Sequence, residues 1–222
     1  MTMQLTEPNQ VTYIEPRWPI TLTSFAVLVL MNVLPARIRP APSWVSYVIF
    51  IALNAPMVAL RLTSAKARWL RIEAVVTSLF VVIVCFLMVA DLKILFSAML
   101  SPSAEVTGLQ LLTSSVAVWF INVLVFSLAY WRTDRCGPES RANYTSVSPD
   151  WLFPQESGDA SYYRRTTYVD YLFLAFWTAT AFSPTDALPL TFRAKLLMMF
   201  ESLISLMTIV AVASRAINIL GK

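Results

Sequence analysis

The side chains in this sequence best suited to chemistry handle ions and do not break bonds. Thr178, Thr180, Ser183, Thr185 and Asp186 fall within one short stretch, interrupted by Pro184, and Glu201 follows in the next apolar segment. Hydroxyls and carboxylates are hard oxygen donors, and a carboxylate repeated around an axis concentrates cations at a pore mouth. Asp186 can play that part, or Ser183-Pro184-Thr185-Asp186 can cap a helix and stabilise a turn. Thr178 and Thr180 can offer hydroxyls to an ion or bond back to their own helix. Glu201, Thr208 and Arg215 recur every seven residues, with Ser205 beside them, which makes a polar stripe on an apolar helix. Such a stripe lines water or meets neighbouring helices, so Glu201, Ser205 and Thr208 are pore-lining candidates.

Other chemistry has no residues to carry it. The chain has no histidine, and its two cysteines, Cys85 and Cys136, lie in an apolar stretch and a polar segment that are not expected to meet. A Ser-His-Asp triad, a Cys-His pair and a zinc site of the usual type are excluded. The four glycines, Gly108, Gly137, Gly158 and Gly221, are too scattered for a phosphate loop. No enzyme activity, cofactor or metal site is expected. The net charge of +4 needs no nucleic acid to explain it, because basic residues in membrane proteins set orientation.

The elements that must position these groups are membrane helices. Of the 222 residues, 57% are hydrophobic and 14% charged, with mean hydropathy +0.63, the composition of an integral membrane protein. Pro19–Pro35, Trp44–Leu60, Ala74–Ala90 and Gly108–Trp131 are long enough to span, and Leu196–Ala213 gives a last span. Val169–Phe182 reaches only about 21 Å as a helix, short of a hydrocarbon core of about 30 Å. A half-helix, a bend and a full helix make a pore-loop arrangement; the alternative is a short hairpin of two spanning helices. The reading is an all-α polytopic bundle: four spanning helices, a short pore-like half-helix, a bend and a final spanning helix. Met1–Trp18 is a polar tail, 19–100 a three-helix region, and 108–222 the remaining module. Within that module, Arg132–Thr167 reads as a polar loop or short surface helix, and Trp151-Leu152-Phe153 can dock it on the membrane or the bundle.

The residues of this module resemble a known family. Asp170, Phe173, Phe176, Thr178, Thr180, Asp186 and Pro189 fall where tetrameric potassium channels have the aspartate, aromatics, threonines and proline of their pore helix and filter. Arg193-Ala-Lys-Leu-Leu and Glu201-Ser-Leu-Ile resemble the start of the prokaryotic inner helix. Ala181-Phe-Ser-Pro-Thr-Asp186 also resembles an uncharacterised bacterial membrane family. The potassium-channel resemblance implies a homotetramer that conducts small ions in a lipid bilayer. The filter positions depart from the family, because Ser183, Pro184 and Thr185 stand where glycines aim backbone carbonyls at the ion. The resemblance therefore implies a weakly selective channel that does not select potassium. A non-conducting scaffold or accessory subunit and a small transporter are the alternatives. A voltage sensor is not expected, since Lys93 is the only basic residue in the first four helices.

Charge sets the expected orientation. Arg61, Lys66, Arg68 and Arg71 crowd the Arg61–Ile72 linker, and Arg132–Thr167 holds five arginines. By the positive-inside rule both belong in the cytoplasm, with the N-terminus, which suits a bacterial inner membrane. Asp91 and Lys93 read as structural groups able to snorkel to the interface. Asn32, Asn54 and Asn122 read as interhelical hydrogen-bonding groups.

Overall fold

A computed structural model describes residues 18–34, 42–62, 66–100, 108–142, 147–157, 165–180 and 187–220. The long helices are α1 (Trp18–Val33), α2 (Ser43–Leu62), α3 (Lys66–Leu100) and α4 (Gly108–Thr133). A 3-10 turn (Asp134–Cys136) leads to α5 (Pro138–Ala142), β1 (Trp151–Leu152) and α6 (Pro154–Ser157). Then come α7 (Tyr168–Thr180), β2 (Leu188–Pro189) and α8 (Phe192–Leu220). Among the described residues, three stretches are long and apolar enough to cross a membrane: Arg68–Ile94, Leu112–Cys136 and Phe192–Ser214. Trp18–Val33 and Ser43–Ala59 are shorter apolar helices.

Helix α4 is the centre of the bundle. Two thirds of its apolar window is buried, against little more than a quarter for α3 and α8. Helices α1, α3, α7 and α8 all pack on it. Its buried face carries Phe126, Tyr130 and Trp131, which meet Trp151, Tyr168 and Phe200 at ring-centroid distances of 4.9–6.3 Å. Where lipid removes the hydrophobic drive between helices, such aromatic packing contributes to their cohesion.

Contacts fix the direction of each helix. Trp119 Nε1 donates to Ser205 Oγ at 3.0 Å, and Asn122 Nδ2 to the Glu201 carbonyl at 3.3 Å, so α4 and α8 are antiparallel. Phe176 meets Trp119 edge to face and Tyr171 donates to Asp134 at 2.5 Å, so α7 is also antiparallel to α4. Hence α7 and α8 begin at one end of the bundle and run the same way. The start of α1 is at that end too, because the Tyr168 hydroxyl bonds both Thr23 (2.5 Å) and Ser127 (2.6 Å).

Several expectations are corrected. The Arg61–Ile72 linker is mostly helix, for α2 runs to Leu62 and α3 starts at Lys66. Helix α3 continues past the expected Ala90 to Leu100, so Lys93 lies within the helix. Asp91 is buried in the bundle and so does not snorkel. In the segment 132–167, read as a polar loop or short surface helix, the described parts hold α5, β1 and α6 and form a folded cap. Trp151 and Phe153 are buried, docking the cap on the bundle.

Candidate functional site

Two aspartates organise the cap. Asp150, at 0% exposure, accepts from Arg193 Nε at 2.6 Å and Nη2 at 2.7 Å, from Thr191 Oγ1 at 2.5 Å, and from the Arg135 amide at 3.2 Å. Its backbone carbonyl accepts from Leu190 at 2.8 Å. Asp134 accepts from the Asp150 amide at 2.8 Å and from the Tyr171 hydroxyl. Fully satisfied carboxylates of this kind rigidify their surroundings. The end of α4, the first turn of α7 and the entry to α8 are thereby tied to one point. The antiparallel pair Trp151↔Pro189 and Leu152↔Leu188 adds a short ladder.

Local sequence explains how these pieces are aimed. Asp170 caps the start of α7: its Oδ2 accepts from the Thr167 amide at 2.7 Å and hydroxyl at 2.8 Å. Thr191 Oγ1 accepts from the Ala194 amide at 3.3 Å, the N-cap of α8. After α4 the chain turns through Arg135 (φ 50°), Cys136 (φ 61°) and Gly137 (φ 107°). The φ of Gly137 strains any residue with a side chain, and a Cβ there would also displace the Arg132 guanidinium, 2.1 Å away. Left-handed backbone at two non-glycine residues costs roughly 1–2 kcal/mol each, offset here by the Asp150 bond to the Arg135 amide. A second ion pair, Arg135 to Glu156 at 2.6 Å, and the Thr166 hydroxyl on Glu156 close the cap.

At the far end of α7 lies the second polar group. Thr178 Oγ1 donates to the Leu174 carbonyl at 2.8 Å, and Thr180 Oγ1 to the Trp177 carbonyl at 3.0 Å, so both hydroxyls bond back to their own helix. The Ala179 carbonyl accepts from Ser205 Oγ, and the Thr178 carbonyl from Ser202 Oγ at 3.5 Å. These two serines satisfy carbonyls that a helix end otherwise leaves without donors. Glu201 is at 0% exposure and accepts from the Tyr130 hydroxyl. Thr208 is equally buried and bonds the Ile204 carbonyl at 2.8 Å.

The predicted site residues therefore separate. Glu201, Ser205 and Thr208 face the interior of the chain beside Thr178, and the outward residues of α8 are apolar: Leu196, Met199, Leu203, Leu206 and Val210. Lining an axis between copies would require the opposite face. Ser183, Pro184, Thr185 and Asp186 lie outside the described residues, as does the side chain of Arg215. Asn122 and Asn54 bond across helices, the latter to Ser24 Oγ at 3.1 Å, whereas Asn32 bonds the Leu28 carbonyl of its own helix at 2.8 Å. Asp134, Asp150, Tyr130 and Arg193 were not anticipated as site residues, and only the Thr167-x-x-Asp170 capping pattern was legible locally.

No family model, curated protein or solved structure matches the chain.

Proposed function

We propose that this chain is a subunit of an oligomeric membrane channel, tetrameric by its resemblance, weakly selective and not selective for potassium. The observation that supports this most is the shared origin of α7 and α8. Asp134 holds Tyr171 at the start of α7, and Asp150 holds Leu190, Thr191 and Arg193 before and within the first turn of α8. Yet Ala179, at the other end of α7, meets Ser205, thirteen residues beyond Phe192 and so about 20 Å along α8. The ten residue steps from Thr180 to Leu190 can cover about 33 Å. A half-helix that enters and a chain that returns to the same face is the arrangement of outer helix, pore helix and inner helix, with α4, α7 and α8 in those roles. Irregular backbone at membrane depth requires surrounding protein or a water-filled cavity, which an assembly of copies supplies.

Two finer points belong to the same reading. The capped end carries the basic segments around Arg61–Arg71 and Arg132–Lys195, so it faces the cytoplasm of a bacterial inner membrane and α7 enters from that side. Asp186 is the carboxylate that would ring the axis, since Glu201 is turned inward. A non-conducting scaffold is the second reading, favoured by the apolar outer face of α8 and the interior position of its polar stripe.

Purified protein in liposomes tests both. The channel reading expects an oligomer of defined stoichiometry with cation flux that Asp186→Asn lowers, most at low ionic strength where screening is weakest. An assembled oligomer without flux under any ionic condition supports the scaffold.

A further inference from the structure

An open groove of about 310 Å³ runs along the outside of α3, lined by Ala74, Val75, Ser78, Leu79 and Val82, with Arg132 of α4 as its charged residue. Val75, Leu79 and Val82 are about half exposed, so the groove opens outward. The Ser78 hydroxyl donates to the Ala74 carbonyl at 2.9 Å, which leaves the wall effectively apolar. Both helices belong to the stretches able to cross a membrane, Arg68–Ile94 and Leu112–Cys136, so in a bilayer this wall meets lipid. From Ala74 to Val82 it covers about 12 Å along the helix axis, most of one leaflet of a hydrocarbon core of about 30 Å.

The end of this wall nearest the cap is basic. Arg132 is the next-to-last residue of α4, and its guanidinium lies against Gly137 of the cap. Helical register carries the stripe of Val82, Ser78 and Val75 back to Arg71 and Arg68, at intervals of four and three residues. Both arginines are exposed. They stand about 4.5 and 9 Å beyond Ala74 along the axis, at the depth of lipid head groups. Of the described acids nearest in the chain, Glu73 is buried on the other side of α3, and buried Asp134 accepts from Tyr171.

We propose that this groove seats an anionic phospholipid, with an acyl chain along residues 74–82 and the phosphate on Arg71 and Arg132, Arg68 beside them. The apolar length suits one leaflet's chain, and the charge at its end suits an anion, which is how basic pockets between membrane helices take acidic head groups. Arginine presents several N–H donors in a planar fork that fits phosphate, so Arg132 can serve a phosphate beside the partner it already has. A helix of a second copy, about 10 Å wide, would cover the apolar wall, but its apolar face offers the arginines no anion. The site rests on α3 and α4 lying in a membrane, and on neither assembly nor conduction.

The test uses the full chain in detergent, given phosphatidylglycerol or phosphatidylcholine with the same acyl chains, and counts bound lipid by native mass spectrometry. Phosphatidylglycerol should be retained at concentrations at least about tenfold lower than phosphatidylcholine. Arg71→Gln and Arg68→Gln should each weaken it about fivefold, the weight of one basic residue at an anionic surface. Ser78→Trp, at an exposed position, should fill the groove and abolish retention with every arginine in place, which separates a seated lipid from loose attraction to charge. Equal retention of the two lipids overturns the proposal, and so does Ser78→Trp that binds like the wild type. Displacement of the lipid by an equal concentration of inorganic phosphate would mean an anion site without the groove, and overturns it too. So does crosslinking between copies carrying Val82→Cys, with Cys85 and Cys136 replaced by serine, if phosphatidylglycerol does not reduce it, because a second chain then occupies the groove.

Discussion

Removing the guanidinium of Arg193 strands a carboxylate, and the cost follows from the surroundings of Asp150. The aspartate is fully buried and accepts two bonds from Arg193, at 2.6 and 2.7 Å. Breaking a buried pair from one side typically costs about 3–5 kcal/mol. Two considerations lower that here. The Arg193 side chain is half exposed, so solvent already screens it, and Asp150 retains the Thr191 hydroxyl and the Arg135 amide. Arg193→Ala should therefore cost about 2–3 kcal/mol. On the scale of globular proteins of this length that lowers Tm by roughly 5–10 °C. Asp150→Asn keeps the shape and one acceptor oxygen, and should cost about 1–2 kcal/mol. Arg193→Lys keeps charge without the two-pronged geometry and should fall below Arg193→Ala. Thermal unfolding of the purified variants gives the order, and trypsin cleavage after Arg135 and Arg141 reports whether the cap has opened. If Arg193→Ala unfolds with the wild type and its cap stays protease-resistant, the clamp does not hold the starts of α7 and α8 together.

Further outcomes follow from the same contacts. Tyr130→Phe deletes the hydroxyl on Glu201 and should cost about 1.5–3 kcal/mol, read as a fall in unfolding midpoint; no change would remove Glu201 from the list of ordered groups. The glycine-free stretch from Phe182 to Asp186 predicts reversal potentials without the usual potassium preference, and strong preference would refute it. Cys136 is exposed on the cap, so in intact cells an impermeant maleimide should leave both it and an introduced Ser64→Cys unlabelled. Labelling of either from outside reverses the orientation.

The sequence announced the helices because hydropathy and length are local properties. Helix limits came within a few residues for α1, α2 and α4, though of these only α4 is long and apolar enough to cross a membrane, and failed for α3, where polar Asp91 and Lys93 disguised a helix that runs on to Leu100. The cap was illegible for a different reason. Asp134, Asp150 and Arg193 are far apart along the chain, and nothing in a polar segment says which of its charges will be buried. The shortness of α7 was visible, but not its partners, since Ser205 read as part of a pore-lining stripe and Ser202 as an ordinary small residue of a spanning helix. Of the polar stripe of α8, Glu201, Ser205 and Thr208 share one buried face, and only packing decides whether such a face meets water or neighbours. Here it meets α4 and α7.

The channel reading of this module depends on the chain entering and leaving at one face between Tyr168 and Leu190. Two single-cysteine proteins, Arg165→Cys and Leu190→Cys, built with Cys85 and Cys136 replaced by serine, measure this directly. Both positions are exposed and flank α7 and its return. Impermeant maleimide applied to intact cells and then to inverted membrane vesicles should label both from the cytoplasmic side alone. Labelling of Arg165→Cys from one side and Leu190→Cys from the other would make α7 and the residues after it a full crossing, and the channel-like arrangement would fall.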